Sequence, residues 1–560
     1  MAAYHGSYDL DDVESVPGTY HILADASSSS SILKTITGSN GEQIRLVPQP
    51  SDSPNDPLNW SPFRKYWHMI LVCFMAGFTA ATSNDAGSAQ DSMNQELGIS
   101  WDAMNTAAGV LFVGIGCFCF LLSPSSFLYG RKISYILCTV VGLGGSIWFA
   151  LTQTTADSVW NQLFVGASEA AAEAQVQLSL SDIFFQHQQG TAISFYILAT
   201  SVGTYAGPLI SGYMADGPGW RWIAWWGAII SGGYLVFLIF TFQETYFDRD
   251  HYERQQRQKS LQLAAGLVVS DENKEKSCDI EKTAHHTTIQ EVEPEAKQSY
   301  WKSIAIITPA VNLKGFGVKQ YIQRLWLTLR VLCFPPVIYA GIQWGFQDIF
   351  LSFYMTTMAE DWIEPPYNYS NSAVGLMNVP LIIGAVFGCL YGGPFSDKFV
   401  HYYATKYKDG LYEPEYRLYL LFLTSVIGPV GLWMFGIGTA HHWNWVPTYF
   451  GLGFIGFGWG CAGDLSMSYL MDAYPEMVLE GMVGVSAINN GLACVFTFVC
   501  SLWLEQQGTL KTYIALGIIS FIVFMLTIPM IYYGKACRRR TKGMYIEFLR
   551  RRDGVLIQTK

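Results

Sequence analysis

Apolar residues recur along this chain in runs of roughly 20, the length at which a helix crosses the hydrocarbon core of a bilayer. Twelve runs can be marked, at about 66–86, 104–123, 133–152, 160–182, 192–214, 220–242, 325–350, 371–394, 417–438, 445–470, 481–504 and 511–534. They fall six and six around a polar stretch. The pattern predicts an all-α membrane protein of twelve transmembrane helices in two six-helix bundles. Residues 1–65 read as a disordered tail, 66–242 as the first bundle and 243–324 as a central loop with a short interfacial helix at its end. Residues 325–534 then form the second bundle and 535–560 a basic tail. The serine run Ser27–Ser31 and the segment DENKEKSCDIEK lack helical periodicity and read as solvated linker.

Composition agrees with this reading. Of 560 residues, 50% are hydrophobic and 14% charged, against about a quarter charged in soluble domains. The net charge of −10 argues against a nucleic-acid partner. The placement of the basic residues is more informative. Arg64 and Lys65 precede the first span, and Arg131 and Lys132 follow the second. Lys398, Lys406 and Lys408 follow the eighth, and Lys535, Arg538, Arg539, Arg540 and Lys542 the last, whereas the opposite side carries Arg221 and Lys511. Basic residues in short loops stay inside, so both termini and the central loop are expected in the cytoplasm. No cleavable signal peptide is read at the N-terminus, so the first span is expected to target the chain to the plasma membrane. Asn368, in a sequon of an outside loop, is a candidate glycosylation site. The 11 cysteines have neither metal-ligand nor disulfide-framework spacing. No metal or cofactor is expected.

Acidic residues inside the spans carry the candidate chemistry. Asp85 lies in the first, Glu169 and Glu173 in the fourth, Asp348 in the seventh and Asp464 in the tenth. Glu169 and Glu173 are four residues apart and share a helix face, with Glu169 near the midplane. Asp85 and Asp348 read as close to the outer ends, and Asp464 as towards the cytoplasmic end. A carboxylate at the bilayer centre costs about 3 kcal/mol on insertion scales, so it should face a wet cavity or a partner, or hold a proton. All five are candidates for proton coupling or substrate binding. Two close carboxyls hinder each other's ionisation, which suits Glu169 and Glu173 to exchanging a proton. Basic residues touch the spans at Arg330 and Arg417, near cytoplasmic ends, so the interior should favour neutral or cationic molecules. In span seven Trp344 stands one turn from Asp348 with Gln347 beside it, an aromatic and acidic face suited to a cation. Trp459, Asn489 and Asn490 are further cavity candidates.

Two loops carry related signals. SFLYGRKISY contains Gly130, Arg131 and Lys132, and GGPFSDKF contains Gly393, Asp397 and Lys398. Together they resemble the gating-loop signature of the major facilitator superfamily. Phe127 and Ser123 stand where an acid and a glycine are usual, and the second loop lacks the final glycine–basic pair. Span five, SVGTYAGPLISGYM, with Gly203, Gly207, Pro208 and Gly212, resembles the antiporter packing motif of drug:proton antiporters, with Ser211 at a usual glycine. Gln162 occupies the place of an arginine common in the family, so Glu169 or Glu173 would have to substitute for it. NDPLNWSPFRKYW, EPPYNYS and YLMDAYPE resemble fungal members of the twelve-span drug:proton antiporter branch. The resemblance implies the major facilitator fold and alternating access. It also implies a branch that holds exporters of toxins and drugs and importers of polyamines and cations.

The leading sequence reading is proton-coupled export of small neutral or cationic organic molecules such as metabolites, toxins or drugs. The alternative is proton-driven import of polyamines or other organic cations. A transport-dead sensor ranks below both, and no HExxH, GxSxG or Walker motif indicates an enzyme. The expected partners are a small-molecule substrate, protons and the lipid bilayer, with the protein a monomer.

Overall fold

The computed structural model describes residues 16–22, 34–37, 43–249, 251–256, 258, 295–363 and 365–552. The serine run Ser27–Ser31 and DENKEKSCDIEK lie outside them. The first six long helices are α1 (Pro62–Asn84), α2 (Trp101–Leu122), α3 (Lys132–Ala150), α4 (Thr155–Ile183), α5 (Gln186–Asp216) and α6 (Arg221–Thr241). The second six are α7 (Pro335–Glu360), α8 (Asn378–Leu390), α9 (Leu421–Ala440), α10 (Trp445–Ala473), α11 (Val478–Met525) and α12 (Thr527–Arg552). Local chemistry marks the starts. Ser100 accepts from the Ala103 N–H to cap α2, and Thr154 and Asp157 form a reciprocal capping box on α4.

Among the described residues, eight helical stretches are long and apolar enough to cross a membrane, and the bent pair Val318–Cys333 with Pro335–Ala359 makes a ninth. One stretch, Pro475–Arg552, contains two passes. The chain turns at Gly508 (φ 72°, ψ 160°), a conformation that favours glycine. It then returns until Arg552 meets the Glu476 carbonyl near the start of α11. Helices α4 and α10 fall short of that apolar test. Their buried faces hold Ser168, Glu169, Gln175 and Gln177, and Trp459, Asp464, Ser466 and Ser468. The seventh helix starts later than the pattern predicts. Phe334–Pro335–Pro336 breaks the chain, because proline supplies no N–H to the preceding turn. Val318–Leu329 therefore forms a separate helix bent 80° from α7. Asp348 thereby moves from the outer end of its predicted span to the middle of α7.

Within the first half α1 packs on α5 through glycines: a Cβ on Gly203 would lie 1.9 Å from the Gly77 carbonyl oxygen, and one on Gly207 2.4 Å from that of Ala81. The halves meet where α2 and α4 pack on α11 and where α5 packs on α8 and α10. Arg131, Lys132, Arg417, Lys535 and Arg538 gather on one face, here called the basic face, with the described parts of the segment before α1.

That segment departs from its expected disorder. Residues 46–60 are largely buried, and Asp56, fully buried, pairs with Arg249 at 3.1 Å. Burial alone would raise the Asp56 carboxyl, but the Arg249 guanidinium and the N–H groups of Ser51 and Leu58 hold it below the ordinary carboxylate value. Further upstream, β1 (Tyr20–His21) pairs antiparallel with β4 (Leu411–Tyr412), and β2 (Thr35–Thr37) pairs with β3 (Gln43–Arg45). In the described parts, the polar groups that read as disorder find tertiary partners. The basic tail is likewise helical as far as Arg552.

Candidate functional site

A cavity of about 570 Å³ lies between the halves and opens on the face opposite the basic one. Its mouth is formed at helix ends by Asn84, Gly87, Trp101, Asp102, Asn371 and Glu505. Its deeper wall includes Glu169 and Glu173 from α4, Trp344 and Asp348 from α7, Trp459 from α10 and Asn490 from α11. Candidates as far apart in sequence as Glu169 and Asn490 thus meet in one space. Asp102, Glu169, Glu173, Asp348 and Glu505 supply carboxylates, and among the described residues no lysine, arginine or histidine lines it.

The two deep acid groups face each other across the halves. Glu173 is within electrostatic reach of Glu169 and Asp348, and Glu169 has the Ser83 hydroxyl beside it. On the other wall the rings of Trp344 and Trp459 stand 4.3 Å apart, centroid to centroid, and Tyr205 meets Trp459 edge-on at 6.1 Å. Asn489 and Trp459 face the Asp348 carboxyl. Both polar side-chain atoms of Asn489, Gln347 Nε2, Trp459 Nε1 and the Tyr205 hydroxyl have no hydrogen-bond partner among the described residues. Buried polar atoms are normally paired. This wall therefore holds spare hydrogen-bonding capacity next to an acid and an aromatic pair.

The remaining acids separate from this group. Asp85 ends α1 and is not among the lining residues, although its neighbours Asn84 and Ala86 are. Asp464 is fully buried below the cavity, against Gly392 and Gly393 in the π-helical turn that follows α8. Asn489 and Gln347 are not among the lining residues. Asn368 is exposed in the loop between α7 and α8 with a positive φ of 49°. Pro208 lines the cavity, and Gly212 sits against the Asn371 carbonyl where α5 meets the second half. Ser211, at the usual glycine, donates to Ser88 at 2.8 Å. Gln162 also lines the cavity, its amide donating to Asn161 at 2.9 Å.

The basic face is shut. Asp397, one turn past Gly393, accepts from the Thr191 N–H at 2.7 Å and its hydroxyl at 2.8 Å, tying the second half to α5. It also accepts from Arg417 at 2.9 Å, and Arg417 pairs with Asp472 at 3.1 Å. Gly190 permits the approach, since a Cβ there would lie 2.1 Å from Asp397 Oδ1. Lys398 is exposed and stands outside this cluster. In the first half Arg131 pairs with Asp182 at 3.1 Å. Glu244 accepts from the Arg131 and Lys132 N–H groups beside Gly130 (φ 97°). Phe127, where an acid is usual, instead lies under the guanidinium groups of Arg131, Arg324 and Arg552, at 5.0–5.3 Å. Sequence reasoning did not find Arg417, Asp472, Thr191, Asp182 or Glu244 as gate residues. They reach the gate through tertiary contacts that spacing does not encode.

Comparison with known proteins agrees with this architecture. The family model described as Major Facilitator Superfamily matches residues 69–499. The chain is 52% identical over 561 residues to an uncharacterised MFS-type transporter of Schizosaccharomyces pombe, with 97% of this chain and 96% of that one covered. It is 49% identical over 585 residues to Protein HOL1 of Saccharomyces cerevisiae, with 97% and 99% covered. At 22% identity it also matches the efflux pump radE of Floropilus chiversii, covering 87% of this chain and 83% of that one. Among solved structures, the proton:xylose symporter XylE shares the fold at a TM-score of 0.55 and 13% identity, covering 84% of this chain and 97% of that chain. The chain belongs to the Major Facilitator Superfamily of membrane transporters.

Proposed function

We propose that the protein takes up organic cations, polyamines among them, across the plasma membrane by alternating access, with protons as co-substrate. The observation that carries this reading is the cavity's charge: five acids and no basic residue among those that line it. A carboxylate or phosphate substrate would meet repulsion there without a cation to pair with. Placing the basic face in the cytoplasm by its lysines and arginines sets the mouth outside. Asp102 and Glu505 at the mouth then draw cations inward from the medium.

In the proposed cycle a cation settles between Glu169 and Glu173 on one wall and Asp348, Trp344 and Trp459 on the other. These groups come from different halves, so a ligand touching both walls favours closure of the mouth. The deep carboxyls outnumber the charge of a monovalent cation. Protons neutralise the surplus and travel with it, leaving on the less acidic cytoplasmic side. Opening there breaks the Asp397–Thr191 contacts.

Export, the leading sequence reading, keeps one supporting observation in the close packing of Gly203 and Gly207 of α5 on α1. Labelled spermidine and tetraethylammonium, followed in cells with and without an uncoupler, decide between the two. Uptake predicts accumulation that the uncoupler abolishes and that the E169Q/E173Q double variant lacks. Accumulation that rises with uncoupler makes the protein an exporter, and no flux of either probe rejects organic-cation transport.

A further inference from the structure

We infer that residues 16–22 and 46–60 form a strap across the closed basic face that holds the transporter in its mouth-open state. The strap touches both halves. Towards the first half, the Val47 carbonyl accepts from the Gln186 N–H at the start of α5 at 2.8 Å, and Asp56 pairs with Arg249. Towards the second, β1 adds to β4, the Ile22 N–H donates to the Gly410 carbonyl at 2.9 Å, and Tyr20 stacks on Tyr412 at 4.9 Å. Val16, Tyr20, Ile22 and Val47 are all buried.

Its upstream end sits on the gate itself. Tyr412, under Tyr20, donates its hydroxyl to Asp472, the carboxylate that holds Arg417. Gly18, with φ 76°, lies flat on the end of α10: a Cβ there would come within 2.3 Å of the Asp472 carbonyl oxygen. A side chain at this position is excluded both by conformation and by space. Arg538 donates to the Pro17 carbonyl and to Thr19 Oγ1 at 3.1 Å.

The upstream end, residues 16–22, can leave without stranding a charge. Arg538 keeps a two-point pairing with Glu415, at 3.0 and 2.7 Å, and Asp472 keeps Arg417. What its detachment gives up is hydrogen bonds from Arg538 to two neutral oxygens, the β1–β4 pairing, one ring stack and buried apolar surface. A contact of that kind is reversible. It is also conditional, because a segment bound to both halves at this face fits them while the face is shut. Val47 meets Gln186 of the first half and packs with Val400 and Tyr412 of the second, so opening the basic face must break one of these contacts, and strap binding and mouth opening favour each other.

The test uses full-length protein and two variants, G18V and a deletion of residues 1–22, followed by hydrogen–deuterium exchange. The expected result is about tenfold faster exchange at the closed seam, in residues 186–194 and 465–473. On the opposite face, residues 371–376 should exchange more slowly as the mouth closes. Unchanged exchange at the seam in both variants overturns the inference. So does faster exchange on both faces alike, which would mark a loss of stability without a shift between states. No transported probe enters the measurement, so its failure is separable from failure of the organic-cation reading.

Discussion

At the scale of single residues, the cavity divides its labour by wall. Asp348 supplies charge and Trp344 and Trp459 supply ring faces, so their replacement should weaken cation binding by different amounts. Removing the buried charge in D348N should cost about 2–3 kcal/mol, close to a hundredfold in Kd. Losing one ring in W344L should cost about 1 kcal/mol, roughly fivefold. Equilibrium binding of labelled spermidine to the purified variants checks both, and equal losses would contradict the assignment. Asp464, outside the cavity, should leave the affinity of a D464N variant within about twofold of the parent. Glu169 and Glu173 were legible in the sequence because apolar surroundings give acids few other uses. Asp348 was legible as a candidate but not in depth, since its place depends on the break at Phe334–Pro335. Arg417, Asp472 and Glu244 were not legible as partners, because their pairing is created by loops folding back onto helix ends.

At the scale of elements, apolar run length predicted the order of the twelve passes, and the structure modifies their ends. Gly508 turns the chain within a continuous helical stretch, and the bent segment Val318–Leu329 takes residues that the pattern assigned to span seven. The segment before α1 is the larger departure. Its polar residues read as unstructured because their partners, Arg249, Gln186 and Arg538, lie more than a hundred residues away. The Asp56–Arg249 link gives this element a pH signature. Asp56 sits below its ordinary value of 3.8 in the folded chain. Its stabilising effect is therefore complete above that value and fades as pH falls through the lower folded value. D56N leaves Arg249 without its buried carboxylate and should cost about 3 kcal/mol. Thermal melting of the purified protein at pH 7 should show the loss in D56N, and the gap to the parent should narrow as pH drops below about 4. A gap that stays constant to acid pH would contradict the role given to Asp56.

At the scale of the whole molecule, one end of the pathway is held by ion pairs and a strap while the other stands open. The gate joins Asp397 to Thr191 across the halves, and the cavity above it presents carboxylates from both. A ligand that neutralises both walls is thus placed to act on the equilibrium between the two closed ends. The central claim is that the cavity selects positive charge, and it is tested most directly by binding to purified protein. Calorimetry would compare an alkyl diamine with the dicarboxylate and the diol of the same chain length. The account predicts heat of binding for the diamine alone, weakening as pH falls and protons occupy the cavity acids, and absent in a variant combining E169Q, E173Q and D348N. Binding of the dicarboxylate or the diol as tightly as the diamine, or diamine binding that survives the triple substitution, would contradict it.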